Sequence, residues 1–209
     1  MRIGIDFDNT IVDYSDIFTK QAYRLGWIKA NAKKTKQEVH DLIKKLPDGE
    51  MKWKKLQGLV YGKFIIDADP FEGVIKFIQR CRSEHVDVFI VSHKTEYVEG
   101  LEEKINLREA ALKWLRAKGF LDSDKFCLRE DRVFFEHPRE DKLNRIAELK
   151  CTHFIDDLED VLLEPQFPAN VIRILFSNQG ERFNNRPFAV CHHWREMEAL
   201  VFENAQFRQ

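Results

Sequence analysis

At 209 residues the chain has room for one domain, or for one core domain carrying a modest insertion. Its 44% apolar and 33% charged residues are the balance of a soluble globular protein, and seventeen phenylalanines predict a core rich in aromatic packing. A formal net charge of −1 argues against a nucleic-acid binder, which would need a basic surplus.

The chain opens MRIGIDFDNT, where charges at Arg2 and Asp6 interrupt any signal-peptide-like apolar stretch. Ile3–Phe7 reads as a strand that breaks into Asp8-Asn9-Thr10. From there to Pro70 the pattern is helical, in three stretches of roughly Ser15–Leu25, Lys36–Leu46 and Glu50–Phe64. Val39, Leu42, Ile43 and Leu46 recur at helical spacing, as do Trp53, Leu56, Val60 and Phe64, with Pro47-Asp48-Gly49 as the turn between the two sets. Gly58 and Gly62, four apart, predict close helix packing. Residues 14–66 hold twelve Lys/Arg against five Asp/Glu, a net of +7, which leaves −8 on the rest of the chain. The block reads as a small helical domain, residues 14–66, inserted after the first strand of a core made of 1–13 and 67–209.

Beyond Pro70 strands and helices alternate. A helix is expected over Phe71–Cys81, with Val74, Phe77 and Ile78 on one face and Pro70 at its first turn. Val86–Val91 follows as a strand ending in Ser92-His93-Lys94, then a helix over Leu107–Leu115 closing near Gly119. Val133–Phe135 is a shorter strand-like run, and Leu143–Leu149 a helix with Lys142 just before it. His153–Ile155 runs into Asp156-Asp157, and Val171–Phe176 into Ser177-Asn178-Gln179-Gly180. Strands this rich in Val, Ile and Phe are buried on both faces, and their alternation with helices predicts a doubly wound α/β fold with a Rossmann-like parallel sheet. Its polar breaks then gather on the carboxyl edge. The apolar runs are too short to cross a bilayer, and no membrane association is expected. Cys81, Cys127, Cys151 and Cys191 form no CxxC pair, which fits a reducing, cytoplasmic setting.

Several of those breaks carry residues suited to chemistry. Asp6 and Asp8, two apart at a strand end, can bind a hard cation or divide attack from proton transfer. In isolation the pair reads better as a turn cap at Asp8 and a surface ion pair at Asp6. Ser92 and the backbone around it can hold phosphate oxygens, although serine is also a common turn residue. Lys142 can neutralise a phosphoryl group, or be one more solvated lysine. Asp156-Asp157 can ligate a metal or form an Asx turn, and Asp160 can be a helix-start charge. His93 and Lys94 adjoin Ser92 and can touch a substrate held there, or equally belong to a solvated loop. His192-His193-Trp194 reads as core or surface rather than as a metal site.

Taken in order, these residues resemble the haloacid dehalogenase (HAD) superfamily. DFDNT matches its DxDx(T/V) first motif, Ser92 its second, Lys142 its third and Asp156-Asp157 its acidic fourth. The resemblance implies that Asp6 is a nucleophile forming an aspartyl-phosphate and that Asp8 is the acid and base. It implies a magnesium ion on Asp6, Asp8 (through its carbonyl) and Asp157 or Asp156. Phosphate contacts are expected from Ser92, Lys142, Thr10 and His93. Asp8 favours phosphoryl transfer over halide release, because an alkoxide leaving group needs a proton. The helical insert resembles a small C1-type cap. The implied activity is hydrolysis of a small-molecule phosphate ester. Phosphomutase, nucleotidase and non-catalytic binding module remain as alternatives, and oligomeric state is left open.

Overall fold

The computed structural model describes residues 1–29, 34–98, 104–122, 124–126, 128–178 and 186–204. Cys127, Gln179 and Gly180 fall outside the described residues.

In chain order the helices are α1 (Ser15–Arg24), α2 (Lys36–Lys44), α3 (Gly49–Gly58), α4 (Val74–Ser83), α5 (Leu107–Ala117), α6 (Arg139–Glu148), α7 (Glu159–Leu162) and α8 (Trp194–Glu203). The strands of the main sheet are β1 (Arg2–Ile5), β2 (Asp87–His93), β3 (Val133–Glu136), β4 (His153–Asp156), β5 (Ile172–Phe176) and β6 (Ala189–Cys191). Every neighbouring pair is parallel, and the order across the sheet is β3-β2-β1-β4-β5-β6. This is the Rossmann-like arrangement read from the sequence, with one strand more, because Ala189–Cys191 is too short to show a periodic pattern of its own. The order reverses between β1 and β4, which makes the carboxyl ends of those two strands the switch point where open α/β sheets bind ligands.

The chain divides into two compact units. The first comprises Met1–Val12, Pro70–His93 and Gly119–Gln209, and the second Asp13–Asp69 and Lys94–Lys118. The first contains the whole sheet. Residues alternate across it, so Phe89, Val91, Phe154 and Leu175 join Leu143 and Ile146 of α6 and Val161 and Leu162 of α7 in one buried cluster. Elsewhere in the same unit Phe77 of α4 and Trp194 of α8 meet at 5.0 Å between ring centroids, and Phe176 lies 5.6 Å from Trp194. These contacts bear out the aromatic packing foreseen from the phenylalanine content. Among the described residues no helix is long and apolar enough to cross a membrane.

The second unit is helical. Thr35 caps α2 in a capping box, its side chain accepting from the Glu38 amide while the Glu38 carboxylate accepts from the Thr35 amide. The helix expected to run from Glu50 to Phe64 ends as α-helix at Gly58 and continues as a π-helical turn over Leu59–Lys63. The segment Lys94–Lys118, placed with the core in the sequence reading, groups instead with Asp13–Asp69. The buried face of α5 explains this: Trp114 donates from Nε1 to the Ala68 carbonyl at 2.9 Å. A methyl group on Gly62 would come within 2.5 Å of Ile105, so glycine permits the close approach there. A second difference lies at Pro70. Helix α4 begins only at Val74, because Gly73 takes a left-handed φ of 91° immediately before it.

Candidate active site

Asp6 directly follows β1, its amide donating to the Ile155 carbonyl at 2.8 Å and extending the ladder with β4 by one residue. The chain then turns sharply. Asn9 adopts a left-handed φ of 60°, which asparagine tolerates better than most residues, and the Ile11 and Val12 amides both return to the Phe7 carbonyl. Asp8 sits half-buried on this turn. The far side is pinned by Trp194, whose Nε1 donates to the Thr10 carbonyl at 3.2 Å, while Thr10 Oγ1 donates to Asp157 Oδ1 at 3.4 Å. Thr10 is fully buried and ties the loop to the fourth-motif acids.

Lys142 lies in the first turn of α6 rather than ahead of the helix, which starts three residues earlier at Arg139. Its side chain is 1% exposed and bridges two carboxylates, donating to Asp6 Oδ1 at 2.7 Å and to Asp156 Oδ2 at 2.6 Å. Asp156 uses its other oxygen to accept from the Leu158 amide at 2.9 Å, so both oxygens are engaged. Asp157 is half-buried. Asp6, Asp156 and Asp157 each offer a carboxylate oxygen, and these oxygens lie within 4.8 Å of one another. The donor set is all oxygen, as a hard cation requires, and ligands on opposite vertices of a magnesium octahedron stand about 4.2 Å apart. The acids therefore fit magnesium with small adjustments.

Burial pushes the Asp6 carboxyl up to about 7; Lys142 opposes that shift, and Asp156 and then Asp8 reinforce it. For Lys142, burial acts to lower the pKa, but the two carboxylates together outweigh it and hold the ammonium above its ordinary value. The site is thus a buried cation shared between two acids, with Asp6 holding its proton more tightly than an ordinary carboxyl does.

Ser92 is buried in β2, opposite Phe135 of β3, one residue short of the strand end. The expected break after Val91 is therefore displaced, because β2 stays paired through His93. His93 is exposed, and its Nε2 lies 3.1 Å from His137 Nδ1. His137, which follows β3, had no distinguishing mark in the sequence; only the pairing of β2 with β3 brings it to His93. Trp194 was read as core or surface, and proves to be a buried brace for the Thr10 carbonyl. His193 is structural too, its ring accepting from the Glu196 amide at the start of α8.

No family model matches the chain. A protein of Bacillus cereus provisionally named a nucleotidase is 24% identical over 172 residues, covering 78% of this chain and 79% of that protein. Among solved structures, a haloacid dehalogenase-like hydrolase of Streptococcus pneumoniae superposes with a TM-score of 0.62 at 16% identity, covering 96% of this chain and 97% of that one. A HAD family hydrolase of Deinococcus radiodurans, solved with bound phosphate and sodium, has a TM-score of 0.59 at 12% identity over 97% and 95% of the two chains. One from Bacillus subtilis, solved with bound magnesium, has a TM-score of 0.57 at 15% identity over 96% and 98%. With its six parallel strands and its acids at the sheet's switch point, the chain has the fold of the haloacid dehalogenase superfamily hydrolases.

Proposed function

We propose that the protein is a magnesium-dependent phosphohydrolase acting on a small-molecule phosphate ester. The observation that carries this reading is the buried Lys142 bridging Asp6 and Asp156, with Asp157 within metal-ligand reach of both acids. An ammonium already placed against the attacking oxygen offsets the repulsion that a phosphate dianion would meet from a bare carboxylate.

Asp6 attacks phosphorus, and the bond to the ester oxygen breaks with its electron pair leaving on that oxygen. Asp8 supplies the proton that makes the leaving group an alcohol. Asp8, now a carboxylate, takes a proton from water as the water oxygen attacks the aspartyl-phosphate, which releases phosphate and regenerates Asp6. Asp6, the Asp8 carbonyl and Asp157 would hold magnesium, which supplies charge neutralisation at the phosphoryl oxygens. Asp157, half-buried and within reach of Asp6, is preferred to Asp156, which is fully buried against Lys142. Ser92 and Lys142 contact the phosphoryl oxygens, His93 lies one residue further along the same edge, and Thr10 steadies the loop. Residues 14–66 form the major part of the helical cap.

The test is a panel of phosphate esters assayed with and without magnesium, alongside Asp6→Asn. Magnesium-dependent release of phosphate that disappears in the variant supports the reading. Turnover retained in Asp6→Asn removes the nucleophile assignment. A nucleotidase is the second reading, favoured by the Bacillus cereus relative, and it places nucleoside monophosphates first in the panel. A requirement for a bisphosphate activator would indicate a phosphomutase instead.

A further inference from the structure

His93 and His137 belong to different strands and meet at the carboxyl edge of the sheet. Parallel pairing sets His93 opposite Glu136, so His137 is the next residue along the neighbouring chain. The rings approach at 5.2 Å between centroids with their planes 39° apart, so they meet through nitrogens rather than faces. Nε2 of His93 lies 3.1 Å from Nδ1 of His137, and both residues are exposed.

We infer that His93 and His137 form a two-imidazole clamp for a borderline divalent cation such as zinc or nickel. Two nitrogens bound to one tetrahedral zinc stand about 3.3 Å apart, given Zn–N bonds of about 2.0–2.1 Å. The observed separation requires a shift of only a few tenths of an ångström. Each neutral ring can place its proton on the outward nitrogen, His93 on Nδ1 and His137 on Nε2, so the two lone pairs face the cation without loss of a proton. The strand pairing holds the two backbones in register before any metal arrives, which lowers the ordering cost of bringing two surface side chains together. Glu136, the nearest carboxylate in sequence, is tied to Arg145 at 2.7 Å. Magnesium would not compete, since it prefers oxygen ligands and keeps its own waters.

The experiment is a zinc titration of the intact protein in excess magnesium, read by competition with a chromophoric chelator. His93→Gln and His137→Gln should each weaken zinc binding roughly tenfold or more, as loss of a direct ligand costs at least what an outer-shell loss does. Asp157→Asn, and His40→Gln, which removes an imidazole from α2, should retain the zinc affinity of the wild type. Zinc should also raise the melting temperature of the wild type and not of the two clamp variants, by mass action on the folded state. The inference is overturned if both clamp variants bind zinc as the wild type does, or if binding is lost instead with Asp157→Asn or His40→Gln. Neither readout requires turnover, so the phosphohydrolase reading stands or falls separately.

Discussion

Lys142 donates from Nζ to Asp156 Oδ2 at 2.6 Å, and neither side chain has more than 1% of its surface exposed. A buried pair of this kind adds little net stability, because desolvating both ions costs about what their attraction returns. Removing one partner is a different matter. Lys142→Met leaves two buried carboxylates without their cation and should destabilise the protein by about 3–5 kcal/mol in urea unfolding. Adding Asp156→Asn should restore part of that loss without restoring activity. Equal stability of the single and double variants would show that the two charges are not coupled.

Asp6 carries the opposite signature. Its carboxyl is raised to about 7 in the folded protein against an ordinary value of 3.8, chiefly by burial. A raised acid favours folding most below its unfolded pKa, and that contribution is lost as pH rises towards 7. Asn cannot ionise, so without metal Asp6→Asn should unfold at higher urea than wild type at pH 8. The gap should close towards pH 4. A wild type more stable than the variant at pH 8 in EDTA would contradict the assignment of burial as the dominant cause.

The same titration governs metal uptake. A cation competes with the Asp6 proton, so apparent magnesium affinity should climb as pH rises through about 7 and level off above it. Isothermal titration between pH 6 and 8.5 checks this; a flat profile would remove Asp6 from the ligand set.

Asp156 and Asp157 are adjacent but differently employed. Asp157→Ala should raise the magnesium concentration for half-maximal activity by on the order of tenfold, equivalent to about 1.4 kcal/mol. Asp156→Ala should act mainly through stability, since it takes from the buried Lys142 one of its two carboxylate partners. If Asp156→Ala shifts the magnesium requirement more, the ligand is Asp156.

Away from the acids, a methyl group on Gly4 would sit 2.5 Å from Phe154 Cδ2 and 3.2 Å from Cys151 Sγ. Gly4→Ala should cost about 1–3 kcal/mol by overpacking the buried sheet between β1 and β4. Thermal unfolding at saturating magnesium measures it, and a variant as stable as wild type would show that Phe154 can move aside.

Much of this molecule was legible in one dimension. Strands buried on both faces announce themselves as apolar runs, so β1, β2, β4 and β5 were visible, and with them the carboxyl-edge positions of Asp6, Ser92 and Asp156-Asp157. The order of motifs supplied Lys142, which composition alone would have left among many solvated lysines. Local signals stopped short where packing overrode them. Pro70 looked like a helix start, yet the left-handed backbone at Gly73 delays α4 to Val74. The segment around α5 looked like core because its apolar face says only that it is buried, not against what. Three-residue β6 carries too few side chains to show a period. Which of Asp156 and Asp157 pairs with Lys142 belongs to tertiary structure alone, because it depends on which carboxylate the ammonium reaches across the sheet. So does the meeting of His93 with His137, forty-four residues apart in the chain and joined only by the pairing of β2 with β3. Sequence determines which side chains a strand end presents; strand order and register decide which of them meet.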